Sequence, residues 1–437
     1  MKSFGRAIVV SVGSLGLALT GCTSSTNSSE TATDAGRSGG SMSAGGASSG
    51  GSMSAGGSSG GGTTSAGGST SAGGSSGGAT SSGGSGTGGG APLPPDPCIA
   101  AGTCPLGVWT NVTPSQMDPT VLSPTANVFG PGSVVVDPAR PGDLYVGGSK
   151  AGLWKSADYG FTWTKINDTL PDVPRGVTIA VAGTTPATVW AAAYNAIYKS
   201  VDGGATFKQT AMAQSLYSLK VDPNDSKHLI SGLHEVDGVM ESTDGGDTWN
   251  MVGGAGWPSG GISWYPYFID MGDPATTRKT WFAIAQDGGS AVVTTDGGAH
   301  WTIPNGINGL QHPHGNSQIF QTGAAIFVAG LAGPGQGVYR STDRGANFTR
   351  VDSGQFPEAL VWGSPKNVYA MYAWACSNCN LGTDFETAPE PGDTWSKAGV
   401  PSELVIGPNS VAVTNDGTHS IFVAVMWAQG IWRYVEP

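Results

Sequence analysis

Five near copies of one eight-residue turn constrain this chain more than any other feature. They read Ser156-Ala-Asp158-Tyr-Gly160-Phe-Thr-Trp163, Ser200-Val-Asp202-Gly-Gly204-Ala-Thr-Phe207, Ser242-Thr-Asp244-Gly-Gly246-Asp-Thr-Trp249, Thr294-Thr-Asp296-Gly-Gly298-Ala-His-Trp301 and Ser341-Thr-Asp343-Arg-Gly345-Ala-Asn-Phe348. A degraded copy keeps Glu390, Gly392 and Trp395. The Ser or Thr hydroxyl and the Asp carboxylate accept hydrogen bonds from backbone N–H groups a few residues on, and glycine supplies the positive φ that closes the turn. The aromatic is then free to bury itself between sheets. These aspartates are therefore expected to fold hairpins rather than to meet a ligand.

The turns recur with supersecondary spacing. The reference aspartates at 158, 202, 244, 296 and 343 are separated by 44, 42, 52 and 47 residues. Ahead of them lies a strand, a turn and a second strand, as in Ser133-Val-Val-Val-Asp137-Pro138 running on to Leu144-Tyr-Val-Gly147. The runs Ile179 to Ala193, Leu219 to Gly232 and Leu360 to Met371 repeat the theme. A third strand follows, as in Gly152-Leu-Trp-Lys155 and Gly337-Val-Tyr-Arg340, then the turn and a fourth strand. Four strands per unit define propeller blades. The expected fold is all-β, a seven-bladed propeller of four-stranded antiparallel blades. The last unit, Ser410 to Tyr434, lacks a fourth strand, and Gly107-Val-Trp109-Thr110-Asn111-Val112 resembles Thr162-Trp163-Thr164-Lys165-Ile166. The N-terminal strand is thus expected to close the ring.

The octets resemble the Asp-box, or BNR, repeat of sialidase-like propellers. Sialidase activity needs three convergent arginines, and only seven stand beyond the N-terminal region: Arg140, Arg175, Arg278, Arg340, Arg344, Arg350 and Arg433. Most map to turns or third strands. The wording Val135-Val-Asp137-Pro138, Gly152-Leu-Trp154-Lys-Ser-Ala-Asp158 and Trp163 also looks like the xyloglucan-degrading hydrolases that use these repeats. Such enzymes set two carboxylates across a cleft between two propellers. Only one propeller fits here, and Ser149 or Lys150 stands where that family places its first catalytic Asp. A third resemblance is to the single-propeller assembly factor of photosystem II, a protein-binding scaffold.

Before the propeller the chain has other features. Met1 to Arg6 is a charged head, Ala7 to Leu19 a short apolar run, and Leu19-Thr-Gly-Cys22 resembles a lipobox. Residues 1–21 read as a lipoprotein signal peptide, which makes Cys22 the lipidation site and places the protein on the bacterial envelope, at the outer membrane or cell surface. Residues 22–97 are Ser, Gly, Ala and Thr almost throughout, a composition that cannot build a core, and are expected to be a disordered tether reaching about 45 Å. The propeller is assigned to 98–437. Of five cysteines, Cys98, Cys104, Cys376 and Cys379 remain after lipidation. An even number in an oxidising compartment suits two disulfides, the local pairing Cys98 with Cys104 and Cys376 with Cys379 needing the fewest assumptions. No metal or other cofactor is expected.

The net charge is −11 and the isoelectric point about 4.9, which argues against nucleic acid. With the octets on one rim, ligands are expected at the other, on the loops joining second to third strands and one blade to the next. Those loops carry His234, Glu235 and Asp237, then Gln286 and Asp287, and the aromatics Trp257, Trp264, Tyr265, Tyr267, Trp374 and Trp427. Rings beside carboxylates match a polysaccharide, whose C–H faces stack while its hydroxyls take up hydrogen bonds. The binding set is His234, Glu235, Trp257, Trp264, Tyr265, Trp374 and Trp427. If there is catalysis, Asp237 and Asp287 on neighbouring blades are its carboxylates. The expected function is a monomeric surface lipoprotein binding an extracellular polymer, a polysaccharide first and a surface protein second, with glycoside hydrolysis as a further alternative.

Overall fold

A computed structural model describes residues 94–122, 130–148, 150–167, 170, 178–193, 196–210, 216–233, 235–288, 290–312, 319–331, 335–354, 358–373 and 382–437. These residues belong to one of the chain's two units, Thr70–Pro437; the other, Met1–Ser69, lies outside the described residues.

The strands form seven antiparallel sheets in chain order. Blade 1 comprises Pro131–Asp137, Arg140–Gly148, Gly152–Ser156 and Thr164–Asn167. Blade 2 comprises Thr178–Ala182, Thr188–Ala193, Ala196–Ser200 and Lys208–Gln209. Blade 3 comprises Leu216–Asp222, Asp225–Leu233, Val239–Ser242 and Asn250–Val252. Blade 4 has Ile262–Phe268, Trp281–Asp287 and Ala291–Thr294. Its fourth strand is reduced to an antiparallel bridge between Val293 and Thr302, and the helix Pro274–Thr277 is inserted in its first hairpin. That insertion contributes to the longest spacing between reference aspartates. Blade 5 comprises Phe320–Thr322, Ala325–Gly330, Gly337–Ser341 and Thr349–Asp352. Blade 6 comprises Glu358–Gly363, Asn367–Ala373, Thr383–Pro389 and Ser396–Ala398.

Blade 7 joins the two ends of the described chain. Pro408–Asn415, Ser420–Met426 and Gly430–Val435 are completed by Trp109–Asn111, with Trp109 opposite Tyr434 and Asn111 opposite Trp432. Trp109 is buried and packs edge-on against Trp362 and Phe385 of blade 6. The seam is reinforced upstream of Cys98. Asp96 Oδ1 accepts the Cys98 and Ile99 N–H groups at 2.9 and 3.1 Å, capping the short helix Pro97–Ala100, and its Oδ2 pairs with Arg433. Arg433 Nε donates to the Tyr159 carbonyl at 3.0 Å, and the Tyr159 hydroxyl donates to that of Pro94 at 2.6 Å. A disulfide joins Cys98 to Cys104. The ion pair is buried, 4% and 0% exposed at the side chains, so each charge depends on the other.

The core is divided. An apolar cluster fills each of the seven seams between adjacent blades, for example Trp190, Leu219 and Leu229 between blades 2 and 3, and Trp264, Trp281 and Trp301 at blades 3 and 4. Because each blade is covered on both faces, its strands bury both sets of alternate side chains, as Thr178–Ala182 and Ser420–Met426 do throughout.

Candidate functional site

Antiparallel order fixes which loops share an end of a blade. First and third hairpins, with the octets, lie at one end; second hairpins and interblade loops lie at the other. At the octet end the carboxylates are consumed by the turn. Asp244 Oδ1 accepts the Asp247 and Thr248 N–H groups at 3.1 and 2.9 Å and the Ser242 hydroxyl at 2.9 Å, while Thr248 Oγ1 donates to Oδ2 at 2.6 Å. Ser242 Oγ also accepts the Gly246 N–H at 2.8 Å, and the Trp249 indole donates to the Gly246 carbonyl at 3.0 Å. Gly246 has φ +86°, the left-handed conformation the turn requires.

The other copies repeat this geometry, and Asp202, Asp244, Asp296 and Asp343 are each held at a pKa of about 2. The Ser200 hydroxyl leads at Asp202, the His300 N–H at Asp296 and the Asn347 amide at Asp343. At Asp244 desolvation is the largest single influence and acts upward, but the donors from Thr248, Ser242 and Asp247 together outweigh it.

At the opposite end the loop between the second and third strands of blade 3 carries Asp237. Its Oδ1 accepts two indole N–H groups, Trp257 at 2.8 Å and Trp264 at 2.9 Å, both from the segment entering blade 4. The two rings lie 4.4 Å apart, and Trp257 meets Trp301 edge-on at 4.8 Å. The Glu235 N–H donates to Ser263 Oγ at 3.0 Å. Both residues have φ +56°, a costly conformation for side chains of this kind that persists only where surroundings enforce it. Val236 and Met251 add exposed apolar surface. Asp287, exposed, ends the second strand of blade 4 opposite Ile262 and accepts the Gln286 amide at 3.3 Å. Gln286 in turn accepts the Tyr265 hydroxyl at 3.3 Å.

The structure thus brings Asp237, Glu235, Trp257 and Trp264 together, with Asp287 on the adjoining blade. It corrects the picture of an aromatic platform. Trp264 and Tyr265 are 0% and 1% exposed, and Trp427, at 8%, packs with Ile406 and Ala428. Trp264 and Tyr265 lie on a first strand whose two faces are both covered; Tyr265 stacks on buried His312 at 3.6 Å rather than toward solvent. Trp264 contributes its indole N–H, not its face. Trp257 is half-buried, packed against Trp264 and Trp301. His234, Trp374, Cys22, Cys376 and Cys379 lie outside the described residues.

One acidic group escaped the sequence reading. Asp384 and Glu386, two apart on the third strand of blade 6, face Asp352 at the end of blade 5, and the buried Tyr372 hydroxyl donates to Asp352. Desolvation first, then the charge of Asp352, pushes the Glu386 carboxyl up to about 7. Lys397 balances Asp384 at 2.8 Å. The signal available in sequence was the Asp-Phe-Glu alternation in a strand with apolar neighbours.

No family model matches the chain. It is 28% identical over 197 residues to a xyloglucanase of Paenibacillus sp, a stretch covering 42% of this chain and 16% of that protein. It is 27% identical over 213 residues to the xyloglucanase Xgh74A of Acetivibrio thermocellus, covering 43% and 21%. Among solved structures, the GH74 xyloglucanase of Xanthomonas campestris aligns with a TM-score of 0.53 and 18% identity, over 74% of this chain and 53% of that one. The GH74 enzyme of Niastella koreensis aligns at 0.53 and 19%, over 75% and 55%. The chain therefore matches about a fifth or less of the curated relatives' length and about half of these structures, and the structural likeness is one of fold: a seven-bladed propeller with xyloglucanase neighbours.

Proposed function

We propose that this propeller binds a polysaccharide of the β-glucan class at the loop end of blades 3 and 4, and holds it without cleaving it. The observation that carries this is the Asp237 carboxylate, clamped on one oxygen by two indoles beside the half-buried Trp257 ring. Oδ2 has no partner among the described residues and is left for a sugar hydroxyl, while Trp257, Val236 and Met251 offer apolar surface to C–H faces. Partial sequence likeness to xyloglucanases supports a glycan as ligand. Binding is favoured over hydrolysis because, on the resemblance, Ser149 or Lys150 stands where that family places its first catalytic Asp. Lipidation at Cys22, which would carry the domain on the envelope, belongs to the same proposal.

Calorimetric titration with xyloglucan oligosaccharides tests it. Wild type is expected to bind, Asp237→Ala at least ten-fold more weakly, and neither to release reducing sugar. Equal binding by the variant would remove Asp237 from the site. Reducing-sugar release that disappears in Asp237→Ala or Asp287→Ala would establish hydrolysis instead. Metabolic labelling with a palmitate analogue, lost in Cys22→Ser, tests the anchor.

A further inference from the structure

First strands of most neighbouring blades contact one another, so they line the centre of the ring. Lys220 sits on one of them, in blade 3, paired with Ile230. Its chain neighbours Leu219 and Val221 enter the apolar seam with blade 2. Strand alternation therefore sends Ser218 and Lys220 together toward the blade 4 side. There the Lys220 amine lies 5.1 Å from the centroid of the Tyr267 ring. No hydrogen bond or ion pair reaches that amine from the described residues. Ser218 Oγ, on a residue 1% exposed, also has no partner among them.

Nearby polar groups are already engaged. Asp222 holds His228 at 2.8 Å, the other nitrogen of His228 meets Glu241 at 2.9 Å, and the Tyr267 hydroxyl meets His312 Nε2 at 3.1 Å. Lys220 is half-buried, and desolvation pushes its amine down to about 8, with no charge among the described residues acting on it. An ammonium and a hydroxyl on one strand face, both without acceptors, are the donor set of an anion site.

We propose that Ser218 and Lys220 bind a single carboxylate group on the inner wall of the ring where blades 3 and 4 meet. A monoanion fits because one ammonium neutralises one charge; a dianion would leave a second charge uncompensated in a desolvated place. The two residues are about 7 Å apart along the strand, a gap the flexible lysine stem can close toward the two oxygens of one carboxyl. The Tyr267 ring backs the apolar side of the ligand. The site does not depend on the glycan reading at Asp237, and either can fail alone. The carboxylate has two sources, a free small acid or a uronic acid residue.

Thermal denaturation of the full chain in sodium acetate, at ionic strength held constant with chloride, is the test. Wild type should show a saturable rise in Tm with acetate beyond that with chloride. Lys220→Met should abolish it, and Ser218→Ala should raise the acetate concentration required several-fold. A wild type indifferent to acetate, or a Lys220→Met protein that responds like wild type, would overturn the proposal. Acylation of wild type by an N-hydroxysuccinimide ester, read at the Lys220 peptide by mass spectrometry, avoids any folding defect of the variants. Saturating acetate should slow that labelling several-fold, and an unchanged rate would contradict the site. Sodium glucuronate protecting as acetate does would assign the site to a uronate; protection by acetate alone would assign it to a free small acid.

Discussion

Asp244 and Asp237 stand at opposite ends of blade 3, both exposed and both bonded several times over, yet they have different tasks. The partners of Asp244 lie within four residues of it, at Ser242, Asp247 and Thr248. Those of Asp237 lie 20 and 27 residues away, on indoles that enter blade 4. A carboxylate with local backbone donors closes a turn and has nothing left to offer. A carboxylate oriented by distant rings, with one oxygen open, is arranged for something outside the chain. The octet end is thus architecture, extending to the Asp96–Arg433 pair through the Tyr159 carbonyl, and the loop end of blades 3 and 4 is the candidate site.

The contrast is most easily broken at the ring seam. Asp96→Ala leaves the Arg433 charge buried without its ion-pair partner, so stability should fall by about 3–5 kcal/mol, read as a lower urea midpoint. Deleting residues 105–114, which removes the strand Trp109–Asn111, should abolish cooperative unfolding; a sharp transition in the deletion, or an unchanged midpoint in Asp96→Ala, would show that the seam does not hold the ring. Asp244→Ala should cost about 1–2 kcal/mol, the scale of a lost side-chain cap, and leave ligand affinity untouched.

pH separates the same groups. Turn aspartates held at about 2 contribute stability that is present above the unfolded carboxylate value near 3.9 and is lost as pH falls toward 2. His228 behaves in the opposite sense. Burial alone would lower its pKa, but hydrogen bonds to Asp222 and Glu241 outweigh this and raise it. Its contribution is therefore complete below about 6.5 and lost as pH rises through the higher folded value. Urea midpoints should decline at both extremes, with the alkaline decline flattened in His228→Gln. The smallest stability effect is expected from Asp237→Ala, about 0.5–1 kcal/mol, because the buried Trp264 indole keeps the Gly261 carbonyl at 3.1 Å as an acceptor.

Local chemistry is what made so much of the fold legible. Octets encode their own turns, and their spacing counts the blades; the match between Gly107–Val112 and Thr162–Ile166 located the closing strand. The site was legible only as an address. Trp264 and Tyr265 read as interblade-loop residues, but they lie on the inner strand Ile262–Phe268, both of whose faces are covered, so they are buried. Nothing near Asp237 in sequence announces Trp257 and Trp264 as its donors, because blade packing brings them there. The same holds for Asp352 and Glu386, which meet only across the seam of blades 5 and 6.

The most direct test compares Asp237→Ala with Asp244→Ala, measuring in each both the urea midpoint and xyloglucan affinity. The expected result is a crossed pattern: Asp244→Ala lowers the midpoint and keeps affinity, while Asp237→Ala lowers the midpoint less and loses affinity at least ten-fold. Loss of affinity in Asp244→Ala, with Asp237→Ala binding as wild type does, would place the site at the wrong end of the blade.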